Sequence, residues 1–150
     1  MLLNNEIKIG AFSDHNYFNY KFYLEIKNLA KTGDINILPA IEIDVFRKKG
    51  IKGNVIIVFD DKQKNIEKIQ DLSKLLNRSM IQLSEIKSIF SYYEYFLIPH
   101  VGKSDFLAPE DLEEIESIAY EITNRNHHNF KKVSKNIIKK SIVAFSDTHS

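Results

Sequence analysis

The chain contains no cysteine. That excludes disulfides, a thiolate zinc site and a cysteine nucleophile. The absence fixes no compartment by itself, but an ordinary soluble core is compatible with the cytosol, so a cytoplasmic location is expected. Glycine (5) and proline (3) are scarce among 150 residues, so a flexible linker is not expected. Neither sign of charge dominates: 21 Lys plus Arg oppose 20 Asp plus Glu, a net +1. This excludes a strongly basic nucleic-acid coat and an acidic tail. No apolar run reaches the length of a membrane span. Met1-Leu2-Leu3-Asn4-Asn5-Glu6 lacks the basic and apolar regions of a signal peptide. What remains is 43% hydrophobic and 27% charged, ordinary globular composition. One domain of this size, or a piece of one, buries about 68–70% of its unfolded surface without a staple.

The apolar residues alternate between two textures. Short β-rich runs are Ile7–Phe12, Ile35–Val45, Val55–Phe59, Phe96–Ile98 and Ile142–Phe145. Several are apolar almost throughout, as for strands covered on both faces. Between them the spacing is helical. Phe22, Ile26, Leu29 and Ala30 fit one face; Ile66, Ile69, Leu72, Leu75 and Leu76 fit a second. Ile86, Ile89, Phe90 and Tyr93 fit a third, with Ser84 as N-cap. Leu112, Ile115, Ile118, Ala119 and Ile122 fit a fourth that opens with Pro109, Glu110 and Asp111. The predicted order is β-α-β-β-α-α-β-α-β, with a short helix over Val133–Lys140. Such alternation predicts a mostly parallel sheet with helices outside it. Lys48–Gly53 reads as a turn, so the second and third strands are either antiparallel or joined by a loop of a barrel-type layout.

Potential ligands gather at strand ends. Ser13-Asp14-His15-Asn16 follows the first strand, and Glu42 sits inside the apolar Leu38–Ile43. His100 closes Phe96–Pro99, and Asp147 and His149 close Ile142–Ser146. In parallel α/β folds that rim is where distant side chains converge. Three imidazoles and two carboxylates make a donor set suited to Zn, Mn or Fe. A carboxylate within an apolar strand, as Glu42, needs a cation or a metal beside it. The bland reading of each residue alone is a hydrogen-bonded surface histidine, a buried salt bridge or a capped turn.

Gly10–Asn16, Leu38–Ile43, Leu97–His100 and Ala144–Ser150 resemble, in order, the motifs of the PHP (polymerase and histidinol phosphatase) superfamily. The resemblance implies a distorted (β/α)7 TIM-like barrel, mostly parallel with outer helices. Its C-terminal rim would hold two or three divalent ions (Mn, Zn or Fe) for phosphoester hydrolysis. Carried over by position, His15, Glu42, His100, Asp147 and His149 match metal ligands. Asp14, beside a ligand, would orient the site. Lys103 follows His100 closely, so it reads either as a contact to a substrate phosphate or as a solvated loop lysine. The implied substrate is a phosphorylated small molecule, a nucleotide or a nucleic-acid end. A fused or associated ATPase or polymerase module is the implied partner, with no membrane.

The chain also departs from the family. No His-x-His precedes Gly10, and Asn54 stands where a further His usually begins a strand. Residues 1–150 are therefore expected to form a single PHP-like domain, either a fragment lacking the first strand and the C-terminal part or a minimal form with its edges covered by a partner. Two further functions stay open. One is a catalytically degenerate PHP module with a regulatory or scaffolding role in a larger protein; the other is a doubly wound binding domain whose histidines never meet.

Other features are expected to be structural. Gly102-Lys103-Ser104 lacks the first glycine of a phosphate-binding loop. His127 and His128 read as a solvated loop, and Lys131, Lys132, Lys135, Lys139 and Lys140 as a solvated helix face. Tyr92, Tyr93, Tyr95 and Phe96 read as packing at a helix-to-strand junction.

Overall fold

The computed structural model describes residues 8–76, 78–113, 115–116, 119–121, 127–136 and 141–143. Asp147 and His149 lie outside them. The elements run β1 (Ile9–His15), α1 (Tyr20–Lys31), β2 (Asn36–Phe46), β3 (Lys52–Phe59), α2 (Ile69–Leu76), β4 (Ile81–Gln82), α3 (Ile86–Ile89), β5 (Tyr95–Pro99), α4 (Pro109–Leu112), β6 (Ala119–Glu121), α5 (His128–Asn136) and β7 (Ser141–Val143). No described helix is long and apolar enough to cross a membrane.

The first unit is β-α-β. Asn19 caps α1 by accepting from the Phe22 amide at 3.1 Å, and β2 returns parallel to β1. The expected α1 face is shifted by one position. Tyr23 is buried, with Ile26 and Ala30 packed against the core, while Phe22 and Leu29 are largely exposed.

The expected partial, mostly parallel (β/α)7 barrel is not what forms. The main sheet is open and five-stranded, ordered β1-β2-β3-β5, with β4 also on β2. Both ladders of β3 are antiparallel. Only Arg47–Ile51 separates β2 from β3, a tight turn in which Lys49 and Gly50 both have φ of 68°. A parallel crossover needs about a dozen residues or more, so this connection enforces the antiparallel pair. The helices are short as well. The apolar spacing from Leu112 to Ile122 is split: α4 ends at Leu112, and Ala119–Glu121 is a strand parallel to β7. Pro109 and Asp111 do start a helix, since Asp111 Oδ2 accepts from the Ala108 amide at 2.9 Å. Ladder pairing with β7 and the bridge from Glu121 to His100 override the helical spacing of this segment.

The sheet separates two apolar layers. One face carries Ile37, Ile41, Ile43, Val45, Val55, Ile57, Phe59 and Leu97, packed under Tyr23, Ile69, Ile86 and Leu112 of the helices. Phe59 is fully buried beside Phe90, Tyr93 and Tyr95. This is the junction packing expected of Tyr93 and Tyr95; Tyr92 is instead 94% exposed. The other face bears a smaller apolar cluster, Ala40, Ile56, Val58 and Ile98. The polar residues join that smaller layer.

Candidate functional site

Strand pairing decides which side chains share a face. His15 is opposite Glu42, Glu42 opposite Ile56, and Ile56 opposite Ile98. Two residues further along β2, Asp44 is opposite Asn54, whose carbonyl accepts from the His100 amide at 3.1 Å. His100 bridges in parallel to Glu121 of β6. Paired residues point the same way and successive residues point oppositely. His15, Glu42, Asp44, Asn54, His100 and Glu121 therefore occupy one face at one end of the sheet. Asp14, opposite Ile41, points to the helix-covered face, where burial raises its carboxyl pKa. It does not share the face of its neighbour His15.

Asp44 is the hub. Its Oδ1 lies 3.0 Å from His15 Nε2 and accepts from Asn54 Nδ2 at 3.0 Å. Its Oδ2 accepts from Asn16 Nδ2 at 3.0 Å, and Lys52 Nζ stands 3.2 Å away. Asn16 also accepts from the Asp44 amide through Oδ1 at 2.9 Å. Asn16 adopts a left-handed φ of 55°, which Asn tolerates, and its own amide donates to the Glu42 carbonyl at 2.6 Å. Burial pushes the Asp44 carboxyl up, but hydrogen bonds from Asn16, His15 and Lys52 outweigh it and bring the pKa down to about 2. Asp44 is thus a fixed anion near neutral pH.

His100 is the opposite case. It is fully buried, and neither ring nitrogen has a hydrogen-bond partner among the described residues. Burial, with Lys103 and His15 nearby, lowers its pKa to about 3 against the opposing pull of Asp44. The imidazole is therefore neutral, with a lone pair available. Asn54 Oδ1 is likewise buried and unpartnered among the described residues. Orphaned buried polar atoms are costly and mark a site built for something else.

Two lysines reach the carboxylates. Lys103 Nζ lies 3.8 Å from Glu42 Oε1, and Lys52 also contacts Asp105 at 3.4 Å. Lys103 and Asp105 belong to the loop after β5. The Leu107 amide closes that loop on the His100 carbonyl at 2.7 Å. Buried Asn129 of α5 donates to the Val101 and Leu107 carbonyls at 3.1 and 2.8 Å. Arg47 at the end of β2 donates to the Phe106 carbonyl at 2.8 Å and pairs with Asp111 at 2.7 Å. The loop is clamped at its base on three sides, while Lys103 and Lys52 are half-buried or exposed. His127 and His128 do not form a free loop: both rings contact Phe106, 5.2 and 5.3 Å between centroids.

The donor chemistry suits a divalent ion: one neutral imidazole with free nitrogens, a buried amide oxygen, a fixed carboxylate and a second carboxylate share one face. Among the described residues no three His, Asp or Glu side chains already converge as a cage. The lysines lie against those same carboxylates.

The fold has a solved counterpart. A proposed metal-dependent phosphoesterase from Bifidobacterium adolescentis matches with a TM-score of 0.68 over 99% of this chain and 80% of its own, at 8% identity. At that identity the likeness establishes the fold alone. No protein-family model and no curated protein sequence matches the chain.

Of the expected site residues, His15, Glu42, His100 and Lys103 gather at one sheet end, and Asp14 faces away. Asp44, Asn16, Lys52 and Glu121 were not anticipated. Asp44 was legible: Glu42-Ile43-Asp44 in a strand places both acids on one face. Glu121 was hidden because its segment reads as helix.

Proposed function

We propose that this sheet end is a divalent-metal-dependent phosphoesterase site of PHP type. His100 carries the reading. It is a fully buried, neutral imidazole with two unsatisfied nitrogens, on the face shared with Glu42, Asp44, Asn54 and His15. The order of the sequence motifs and the fold shared with a proposed phosphoesterase support it. In this reading His15, Glu42, Asp44 and His100, with Asn54 through its carbonyl oxygen, hold the metal, and Asp147 and His149 add to them. Mn, Zn and Fe all suit this mixture of imidazole and carboxylate. A bound divalent ion supplies Lewis acidity and lowers the pKa of water near it.

The chain's own residues do the rest. Asp44 stays ionised and offsets cationic charge. Asn16 and Asn54 fix its orientation, so the carboxylate does not have to reorganise. Lys103 and Lys52 give the mouth a positive rim for a phosphate monoester, a nucleotide or a nucleic-acid end.

Two observations favour a second reading. Lysines on both carboxylates, and Asn54 at a position where the family has His, fit a degenerate module with a regulatory or scaffolding role. Reconstitution with Mn, Zn or Fe followed by hydrolysis of an aryl phosphate separates the two. The enzymatic reading expects turnover that falls at least about a hundredfold in His100→Ala and Glu42→Ala with the circular dichroism retained. No metal uptake and no turnover would leave the scaffolding reading.

A further inference from the structure

Lys52 and Lys103 come from different segments, the start of β3 and the loop after β5, yet each ends on a carboxylate of the same face. Lys52 Nζ is 3.2 Å from Asp44 and Lys103 Nζ is 3.8 Å from Glu42. Neither lysine is rigidly enclosed: their side chains are 43% and 22% exposed. Asp44 is held from the other side by Asn16 and Asn54, and both carboxylates rise from a strand paired on two sides. The backbone that carries the anions is thus fixed, while the cations sit on flexible four-carbon stems.

We infer that Lys103 and Lys52 are resident counter-ions of the site, held on Glu42 and Asp44 in the metal-free protein and displaced by a divalent ion toward an incoming phosphate. The inference rests on the proposed metal site and adds its regulation. Two carboxylates on one face repel each other unless a cation lies between or beside them. An ammonium supplies that charge without metal, and a divalent ion must remove it to reach the same oxygens. Metal affinity is therefore lowered by the strength of the lysine contacts. The loop need not unfold for the exchange, because Asn129 and Arg47 clamp it through the carbonyls of Val101, Phe106 and Leu107 and not through Lys103. Once released, the ammonium groups remain at the mouth and complement phosphate charge, so metal and phosphate help each other to bind.

The test is calorimetric titration of Mn2+ into the wild type, Lys103→Met, Lys52→Met and the charge-preserving Lys103→Arg. Each Met variant is expected to bind Mn2+ about three- to fivefold more tightly, the strength of a partly exposed ion pair, with Lys103→Arg no tighter than wild type. In the Mn2+-loaded proteins, inorganic phosphate is expected to bind Lys103→Met more weakly. Mn2+ binding by a Met variant but not by wild type would support the exchange outright. Equal or weaker Mn2+ affinity in both Met variants, with wild type binding normally, overturns the counter-ion role and leaves the metal site standing. Unchanged phosphate affinity overturns the displacement toward phosphate. No binding by any of the four proteins overturns the metal site and the inference together.

Discussion

Asn54 lies directly opposite Asp44 on the β2–β3 ladder, and its side-chain amide donates to Asp44 Oδ1 at 3.0 Å. The residue is only 3% exposed, and the other end of its side chain, Oδ1, has no partner among the described residues. One side chain thus both fixes the central carboxylate and presents a bare oxygen to the same face.

Asp44→Ala strands several groups at once: Asn54 and Asn16 lose their Asp44 acceptor, His15 loses its partner, and Lys52 keeps Asp105 alone of its two carboxylates. A buried donor left unpaired costs about 1–3 kcal/mol, and Asn54 is the one that water cannot reach. Urea denaturation is expected to show a loss of about 2–3 kcal/mol for Asp44→Ala. Asp44→Asn keeps the shape and one oxygen, and should lose less.

The pH dependence has a sign that follows from His100. Burial first, then Lys103 and His15, hold its folded pKa near 3 against an ordinary value of 6.5. The unfolded chain takes up a proton below about 6.5 and the folded protein refuses it. The stability is present above pH 6.5 and is lost as pH falls toward 3, by at most about 1.4 kcal/mol per pH unit. Asp44, held near 2 rather than 3.8, adds a loss only below about pH 4. Urea denaturation between pH 7.5 and 4.5 should show a shallower decline in His100→Gln than in wild type. Parallel declines would mean that the ring is protonated in the folded protein.

Much of the site was legible from the chain, and the reason is local. His15, Glu42 and His100 end or interrupt apolar runs, and polarity at such places is visible without any knowledge of pairing. The strand partners were only partly visible: the Lys48–Gly53 turn left an antiparallel second and third strand open beside a barrel-type loop. Whether β3 runs with or against β2 depends on the tight turn at Lys49 and Gly50, where two successive left-handed residues reverse the chain. A mostly parallel sheet was expected because strands and helices alternate, and a barrel because of the resemblance to the PHP motifs, but alternation does not specify direction. Asp14 shows the cost of ignoring period two: it adjoins His15 in sequence and points to the other side of the sheet. Glu121 was obscured because Ile115, Ile118 and Ile122 imitate a helical stripe across a segment that is partly strand.

Arg47 and Asp111 are both buried, 2.7 Å apart, with the Arg47 guanidinium over the Phe106 ring at 5.1 Å. The pair joins the end of β2 to α4 and so seats the loop that carries Lys103. Removing one partner leaves an uncompensated buried charge, which costs about 3–5 kcal/mol. Asp111→Ala should therefore lose that much in urea denaturation. Arg47→Met combined with Asp111→Leu should recover only part of it, because the apolar pair removes the stranded charge but leaves the Ala108 amide and the Phe106 carbonyl without their partners.

Gly53 gives the most direct test of how β3 supports that loop. It pairs with Val45 in the ladder, and a Cβ there would lie 2.4 Å from Leu107 Cδ2 and 2.9 Å from Arg47 Cγ. Leu107 is fully buried, so its side chain has no free space to turn into. Overpacking of this kind costs about 1–3 kcal/mol. Gly53→Ala should lose that stability and speed amide exchange across residues 101–107, because the strain passes through Leu107 into the loop. Gly50→Ala is the control. Its φ of +68° strains any side chain, but no described residue lies within 4 Å of the added Cβ, so the loop exchange should not change. Leu107→Ala in the Gly53→Ala background should make room for the new methyl. The double variant would then be more stable than the two separate losses predict. Strict additivity would show that the methyl added at position 53 strains its own strand rather than the loop.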